Sequence, residues 1–333
     1  MKIAVSLIPV FLFLVLFLFL DCFKLANKKT MLLCIVWGVF SAIVSFFLNT
    51  FLIRHLHIEF SHYSGFIAPF PEELFKMTLL IFLIKRNKVG FMIDGAIYGF
   101  AIGSGFALTE NLFYLYHFAG EQANLMLWIT RGFGTAIMHG GATSIVGILG
   151  MSSLNRKLNP AVSILVGAVL AIFLHMIYNF FLFPPLISAL IIFFLVPCMM
   201  MFLFWKNERT IRSWLEMEFD SEVGILAMIR KGKFSETKSG TYLLSIKKYF
   251  PAEVVFDLYC FIGLYLELSI KAKSILMLRE NDLPVRPEPG LTEKLAELKD
   301  LRKNIGKAGI LAISPIFRMG RKDIWKLSIL VSS

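Results

Sequence analysis

Seven apolar runs of about 20 residues or more fill the first two thirds of the chain. A run of that length with few charges is what a helix needs to cross the hydrocarbon core of a bilayer. The runs lie near 3–21, 31–53, 66–84, 91–116, 125–151, 161–183 and 186–205. Lys28-Lys29, Lys85-Arg86-Asn87-Lys88, Asn155-Arg156-Lys157 and Pro184-Pro185 punctuate them. Apolar residues make up 57% of the 333, charged residues only 17%, and the mean hydropathy is +0.72. A soluble domain has roughly 45–50% apolar and about 25% charged residues, so the excess calls for a bilayer rather than a larger core.

Loop charge orients the runs, because short loops rich in Lys and Arg stay cytoplasmic. Lys24, Lys28 and Lys29 follow the first run; Lys85, Arg86 and Lys88 follow the third. Arg156 and Lys157 follow the fifth, and Lys206, Arg209 and Arg212 the seventh. The remaining loops hold Arg54 and Glu121 but no basic cluster. Seven spans therefore put the N-terminus outside and the C-terminus inside. The first run reads as a retained helix rather than a cleaved signal peptide. No small-x-small site follows it, Asp21 precedes Cys22, and the lysines beyond resist translocation.

Residues 206–333 differ from the rest. They hold 22 of the 34 Lys and Arg and 16 of the 23 acids. Segments near 211–230, 252–280 and 292–306 have helical periodicity. Asp257 and Glu267 interrupt the apolar stretch 254–270, which reads as an amphipathic helix rather than an eighth span. Pro284, Pro287 and Pro289 mark a turn-rich linker. The expected organisation is a transmembrane domain over 1–205, with its core at 66–183, and a mainly helical cytoplasmic domain over 206–333. The net charge of +11 is unevenly spread, and the tail is only mildly basic, which suits a cytoplasmic surface of membrane lipids with anionic headgroups. No nucleic-acid motif is present. Cys22, Cys34, Cys198 and Cys260 show neither CxxC spacing nor a disulfide framework.

Ionisable residues inside a span cost a few kcal/mol each and usually face the bundle interior. This chain has Glu72, Glu73 and Lys76 in the third run, Glu110 in the fourth, Arg131 and His139 in the fifth, and His175 in the sixth. Asn111 and Asn179 accompany them. With the topology above, four different helices bring polar groups to the middle and outer layers of the membrane. Glu72 and Lys76, His139 and Thr143, and His175 and Asn179 are each four apart, hence on one helix face. Gly95, Gly99 and Gly103 form a small-residue ridge suited to close helix packing. Glu110 continues nearly that face and should point at neighbouring helices.

Blander roles are open for several of these groups. Lys76 can simply neutralise Glu72, Arg131 can pair with a carboxylate, and Asp94 can mark a helix start. His55, His57 and His62 read as solvated loop residues. The adjacent Glu pair together with Glu110, His139 and His175 asks for chemistry. A carboxylate can activate water as a general base, and His and Asn can stabilise an oxyanion. Glu and His can equally hold Zn²⁺, which lowers the pKa of bound water to about 7. A proton relay in a coupled transporter would use the same residues. A sensor or scaffold acting through residues 206–333 would need none of them.

The motifs themselves resemble a known family. Glu72-Glu73-Leu-Phe-Lys76 is similar to the EExxK motif of the PrsW family of intramembrane proteases. Asp94-Gly95-Ala-Ile-Tyr98-Gly99 and Gly105-Phe106-Ala107-Leu-Thr-Glu110-Asn111 resemble its DGxxYG and GFAxxEN block. Arg131 with His139, and His175 with Asn179 as HxxxN, fit its later helices. PrsW proteins are similar in turn to the superfamily of CAAX prenyl endopeptidases and bacteriocin-processing proteases. That superfamily has FxxxH where this chain has Phe106 to Glu110, a departure that favours the PrsW branch. The resemblance implies a polytopic all-α protease of a bacterial inner membrane that cleaves a single-span membrane protein, an anti-sigma factor, on the outer side. Glu72 or Glu73 would be the general base. Glu110, His139 and His175 would be metal ligands or transition-state stabilisers, and Asn179 an oxyanion donor. Lys76, Asn111 and Arg131 would support them. Zn²⁺ is the implied cofactor if the mechanism uses a metal; a metal-free glutamate mechanism stays open, as does the oligomeric state.

Overall fold

A computed structural model of the chain describes residues 2–21, 23–117, 125–155, 159–180, 182–285, 289–316, 326, 327, 329 and 330. Cys22, Glu121, Arg156, Lys157 and Pro287, all used above, lie outside the described residues. Every element among the described residues is helical. Inside a membrane this is the economical solution, because each backbone N–H finds its acceptor within its own segment.

Two compact units divide Met1–Asn207 from Glu208–Ser333. The first holds α1 Lys2–Leu20, α2 Lys28–Leu56, the short α3 Phe60–His62, α4 Pro69–Lys85, α5 Met92–His117, the short α6 Leu125–Ile129, α7 Ala136–Asn155 and α8 Pro160–Asn179. The helix α9 Pro185–Arg230 contains the division between the units. Two π-helical turns, Tyr63–Ile67 and Thr130–Thr135, precede α4 and α7. Helix starts carry their usual signals: the Asn27 side chain accepts the Lys29 and Thr30 N–H groups, and Asn159 accepts that of Ala161 before Pro160.

Among the described residues, five helices are long and apolar enough to cross a membrane: Lys28–Leu56, Met92–His117, Leu125–Ser152, Pro160–Asn179 and Pro185–Arg230. Of the other two expected spans, α1 has 19 residues and α4 has 17. At 1.5 Å per residue these helices are roughly 25–29 Å long, at the short end for a span. α4 also carries Glu72, Glu73 and Lys76, which lower its hydropathy.

α5 and α7 form the buried centre, and backbone contact between them sets the geometry of everything that follows. A Cβ at Gly103 would overlap the carbonyl of His139, one at Gly99 the backbone of Thr143 and Ser144, and one at Gly95 the backbone of Gly147. The expected glycine ridge is thus a seam of direct backbone contact. Ser144 Oγ crosses it to the Ala96 carbonyl at 2.8 Å. On the opposite side of α5, Gly105 meets the Ile35 carbonyl of α2. Trp37 of α2 donates to the Phe75 carbonyl of α4 at 3.1 Å, so α2 bridges α4 and α5.

In the second unit, α10 Lys238–Ile246, α11 Ala252–Glu280 and α12 Leu291–Ile313 follow the end of α9. α11 buries one apolar face, including Phe261, Ile262, Tyr265 and Leu266, as an amphipathic helix does. Glu222 receives Ser269 Oγ and lies 3.0 Å from Lys273 Nζ and 3.4 Å from Lys326 Nζ. α12 is interrupted at Gly306, whose φ of 68° and ψ of −178° suit only glycine. The periodicity seen over 292–306 ends at that break.

Candidate active site

Helices α4, α5, α7 and α8 each turn one ionisable face inward, and these faces meet. Glu73 is the most enclosed of the carboxylates that meet here, 1% exposed. Its Oε1 is ion-paired with Lys76 Nζ and accepts His175 Nδ1 at 2.9 Å. Its Oε2 is buried with no hydrogen-bond partner. A carboxylate only accepts, so His175 Nδ1 carries the proton it donates to Glu73, and Nε2 lies 3.7 Å from Glu72 Oε2, beyond hydrogen-bond distance.

His139 has the opposite arrangement. Lys76 Nζ is 3.0 Å from Nδ1, and an ammonium only donates. Nε2 therefore carries the proton and gives it to Glu110 Oε2 at 3.0 Å. The two imidazole rings stand perpendicular, with centroids 4.7 Å apart. Phe106 floors the pair: its ring lies 4.4 Å below Lys76 Nζ and 4.8 Å from the His139 ring. Lys76 was considered above as a partner for Glu72. It pairs instead with Glu73, three residues before it on the same helix.

Glu110 is held from the far side by Arg131, whose Nη2 lies 3.1 Å from Oε1. Arg131 Nε donates to Asn111 Oδ1 at 3.1 Å, Asn111 Nδ2 donates to the Ser6 carbonyl at 2.8 Å, and the guanidinium stacks 3.6 Å over Tyr114. Arg131 thus pairs with a carboxylate, as considered from the sequence. It lies in a π-helical turn, a geometry that recurs at functional sites because the extra residue re-aims a side chain.

Asn179 departs from its expected place. Its Nδ2 donates to the Ser64 carbonyl at 3.1 Å, in the π-turn before α4, rather than facing the carboxylates. Two residues that sequence reasoning passed over join the site. Asn49 of α2 donates Nδ2 to Glu72 Oε1 at 3.0 Å, and Tyr63 OH donates to Asn49 Oδ1 at 2.9 Å. The available signal was a lone Asn in an otherwise apolar run. His55, His57 and His62 are exposed, as expected.

A metal can be tested against these side chains. Donor atoms of Glu72, His139 and His175 lie within 4.8 Å of one another. The trio expected from the sequence had Glu110 in place of Glu72; Glu110 instead pairs with Arg131 and His139. Two imidazoles and one carboxylate, with a position left open, are the donor set of a catalytic zinc site. Glu73 on His175 Nδ1 is the carboxylate support that metal-ligating histidines have. His139 has a partner on each nitrogen, so a metal would take the place of Glu110 at Nε2 or of Lys76 at Nδ1. The residues fit.

A helical bundle that closes over two histidines and three carboxylates, with a trio suited to a metal, has the donor set of a membrane-embedded metallopeptidase. Residues 26–205, more than half of the chain, match the family described as PrsW family intramembrane metalloprotease, and the chain belongs to that family. It is a multi-pass membrane protein and an intramembrane protease. Comparison with curated proteins and with solved structures returned no match.

Proposed function

We propose that the chain cleaves a peptide bond of a single-span membrane protein, an anti-sigma factor, at the outer side of a bacterial inner membrane, with Zn²⁺ held by Glu72, His139 and His175. The observation that carries this reading is the division of labour in the Glu pair. Glu73 is enclosed and committed to Lys76 and His175. The Glu72 side chain is 16% exposed and lies 3.7 Å from Nε2 of His175. Glu72 therefore keeps an open face that Glu73 lacks. Bound zinc would supply a water acidified to a pKa of about 7. The outer placement is supported by chain direction: Glu72 and Glu73 lie in the first turns of α4, and Lys85, Arg86 and Lys88 lie at its other end. The anti-sigma substrate class rests on the motif resemblance. The mildly basic second unit would then face the cytoplasmic leaflet and its anionic lipids.

A second reading is favoured by Lys76 on His139 Nδ1 and Glu110 on Nε2, which leave His139 no spare lone pair. In it the chemistry is metal-free and Glu72 is the general base.

The test uses purified full chain in detergent with a panel of single-span anti-sigma-like proteins. Wild type, Glu72→Gln and Glu73→Gln are compared, with and without chelator and re-added Zn²⁺. Loss of cleavage with Glu72→Gln supports both readings, and restoration by Zn²⁺ after chelation selects the first. Equal cleavage by Glu72→Gln removes both. Transport of an ion without cleavage by any protein of the panel would point to the relay instead. Loss on truncating residues 206–333 alone would point to the scaffold.

A further inference from the structure

We infer that Asn49 and Tyr63 form a positioning relay that sets the orientation of the Glu72 carboxylate, an inference resting on the role given to Glu72 above. Asn49 Nδ2 donates to Glu72 Oε1 at 3.0 Å, while Tyr63 OH donates to Asn49 Oδ1 at 2.9 Å. An amide offers a donor at one end and an acceptor at the other, and in isolation it can turn over. Its two partners together remove that freedom. The Glu72 carboxylate only accepts, so the amide presents its N–H there, and Tyr63 holds the other end by donating to Oδ1. One oxygen of Glu72 is thereby anchored, and Oε2 is left towards His175 Nε2 at 3.7 Å.

The relay is built to be rigid. Tyr63 is 2% exposed and opens the π-turn Tyr63–Ile67. Asn179 holds that turn from α8 through the Ser64 carbonyl. Phe180, next to Asn179, packs its ring 4.3 Å from that of Phe66 in the same turn. Asn49 is fixed by α2, which is itself tied to α4 through Trp37 and the Phe75 carbonyl. Neither Asn49 nor Tyr63 touches the histidines, so each acts through Glu72. The second π-turn works in parallel, since its Arg131 anchors Glu110 in the way Tyr63 and Asn49 anchor Glu72. Glu72 and Glu110, the partly exposed carboxylates of the site, each have one oxygen held by a residue outside the trio and the other turned towards an imidazole.

The test is kinetic, with full-length protein in detergent and a single-span substrate that wild type cleaves. Asn49→Ala removes a hydrogen bond to a charged group and should lower kcat about 10- to 100-fold with KM unchanged. Asn49→Asp keeps shape but faces Glu72 with an acceptor, and should be at least as damaging as Ala. Tyr63→Phe should lower kcat about threefold to tenfold. In the Asn49→Ala background it should cost nothing further, because its effect passes through Asn49. A packing role alone predicts the reverse: near-normal activity for the isosteric Asn49→Asp, and an additive double variant. Either of those results overturns the relay. Glu72→Gln is run beside them. If it cleaves at the wild-type rate, the role of Glu72 falls; if it is inactive while Asn49→Asp is normal, only the relay falls.

Discussion

Glu110 Oε2 and His139 Nε2 meet at 3.0 Å across the seam between α5 and α7, where Gly103 brings the two backbones into contact. This pairing fixes the proton on Nε2 of His139. It also couples the histidine to Arg131 through the second oxygen of Glu110. Glu110→Ala should leave the guanidinium and the imidazole without their shared anion. Because the Glu110 side chain is 29% exposed, the stability cost should be modest, about 1–2 kcal/mol. Cleavage should fall at least tenfold. Thermal unfolding in detergent, measured beside activity, checks both; an unchanged rate would remove Glu110 from the site.

Lys76 and Glu73 form a buried pair, 0% and 1% exposed. Lys76→Met strands the Glu73 carboxylate in a low-dielectric interior and should cost about 3–5 kcal/mol. Adding Glu73→Gln should restore much of that stability, because no unpaired charge remains. Melting temperatures of the two variants decide it, and a double variant no more stable than Lys76→Met would refute the charge argument.

The α5–α7 seam leaves no space for a side chain. Gly103→Ala should force α7 away at the level of His139, costing about 1–3 kcal/mol and most of the activity. Gly263→Ala is the control: its Cβ would sit 3.8 Å from Ile229 in ordinary contact. There the gain in helix propensity should stabilise by about 0.5–1 kcal/mol. Both are read by unfolding in detergent.

Metal content separates ligands from supports. Purified wild type should hold about one zinc per chain, and His175→Ala or Glu72→Ala should lose it. Asn179→Ala should keep it, since Asn179 bonds the Ser64 carbonyl and not the trio. Elemental analysis after dialysis gives the answer directly. Zinc retained by His175→Ala would sink the proposed ligand set.

Much of the molecule was legible before folding. Long apolar runs with Lys-Lys and Lys-Arg breaks define spans, because hydrocarbon excludes charge regardless of how the helices pack. The helix over 252–280 could be read from its periodicity and matches α11. α9 could not be bounded: its apolar run ends near 205, yet the helix continues to Arg230, since nothing in between breaks it. The site residues were legible as a set, because intramembrane Glu and His are rare and costly. Their pairings were not.

Which carboxylate meets which imidazole depends on the rotation of each helix about its axis. Between α5 and α7 it is fixed by close backbone contact at Gly95, Gly99 and Gly103 with residues far along the chain. Sequence alone therefore determined the class of fold, the membrane and the residues available for chemistry. Tertiary structure decided that Lys76 serves Glu73, that Glu72 rather than Glu110 joins the two histidines, and that Asn49 and Tyr63 belong with them. Side-chain pairing across helices is a property of packed surfaces, and those surfaces do not exist until the glycine seam has closed.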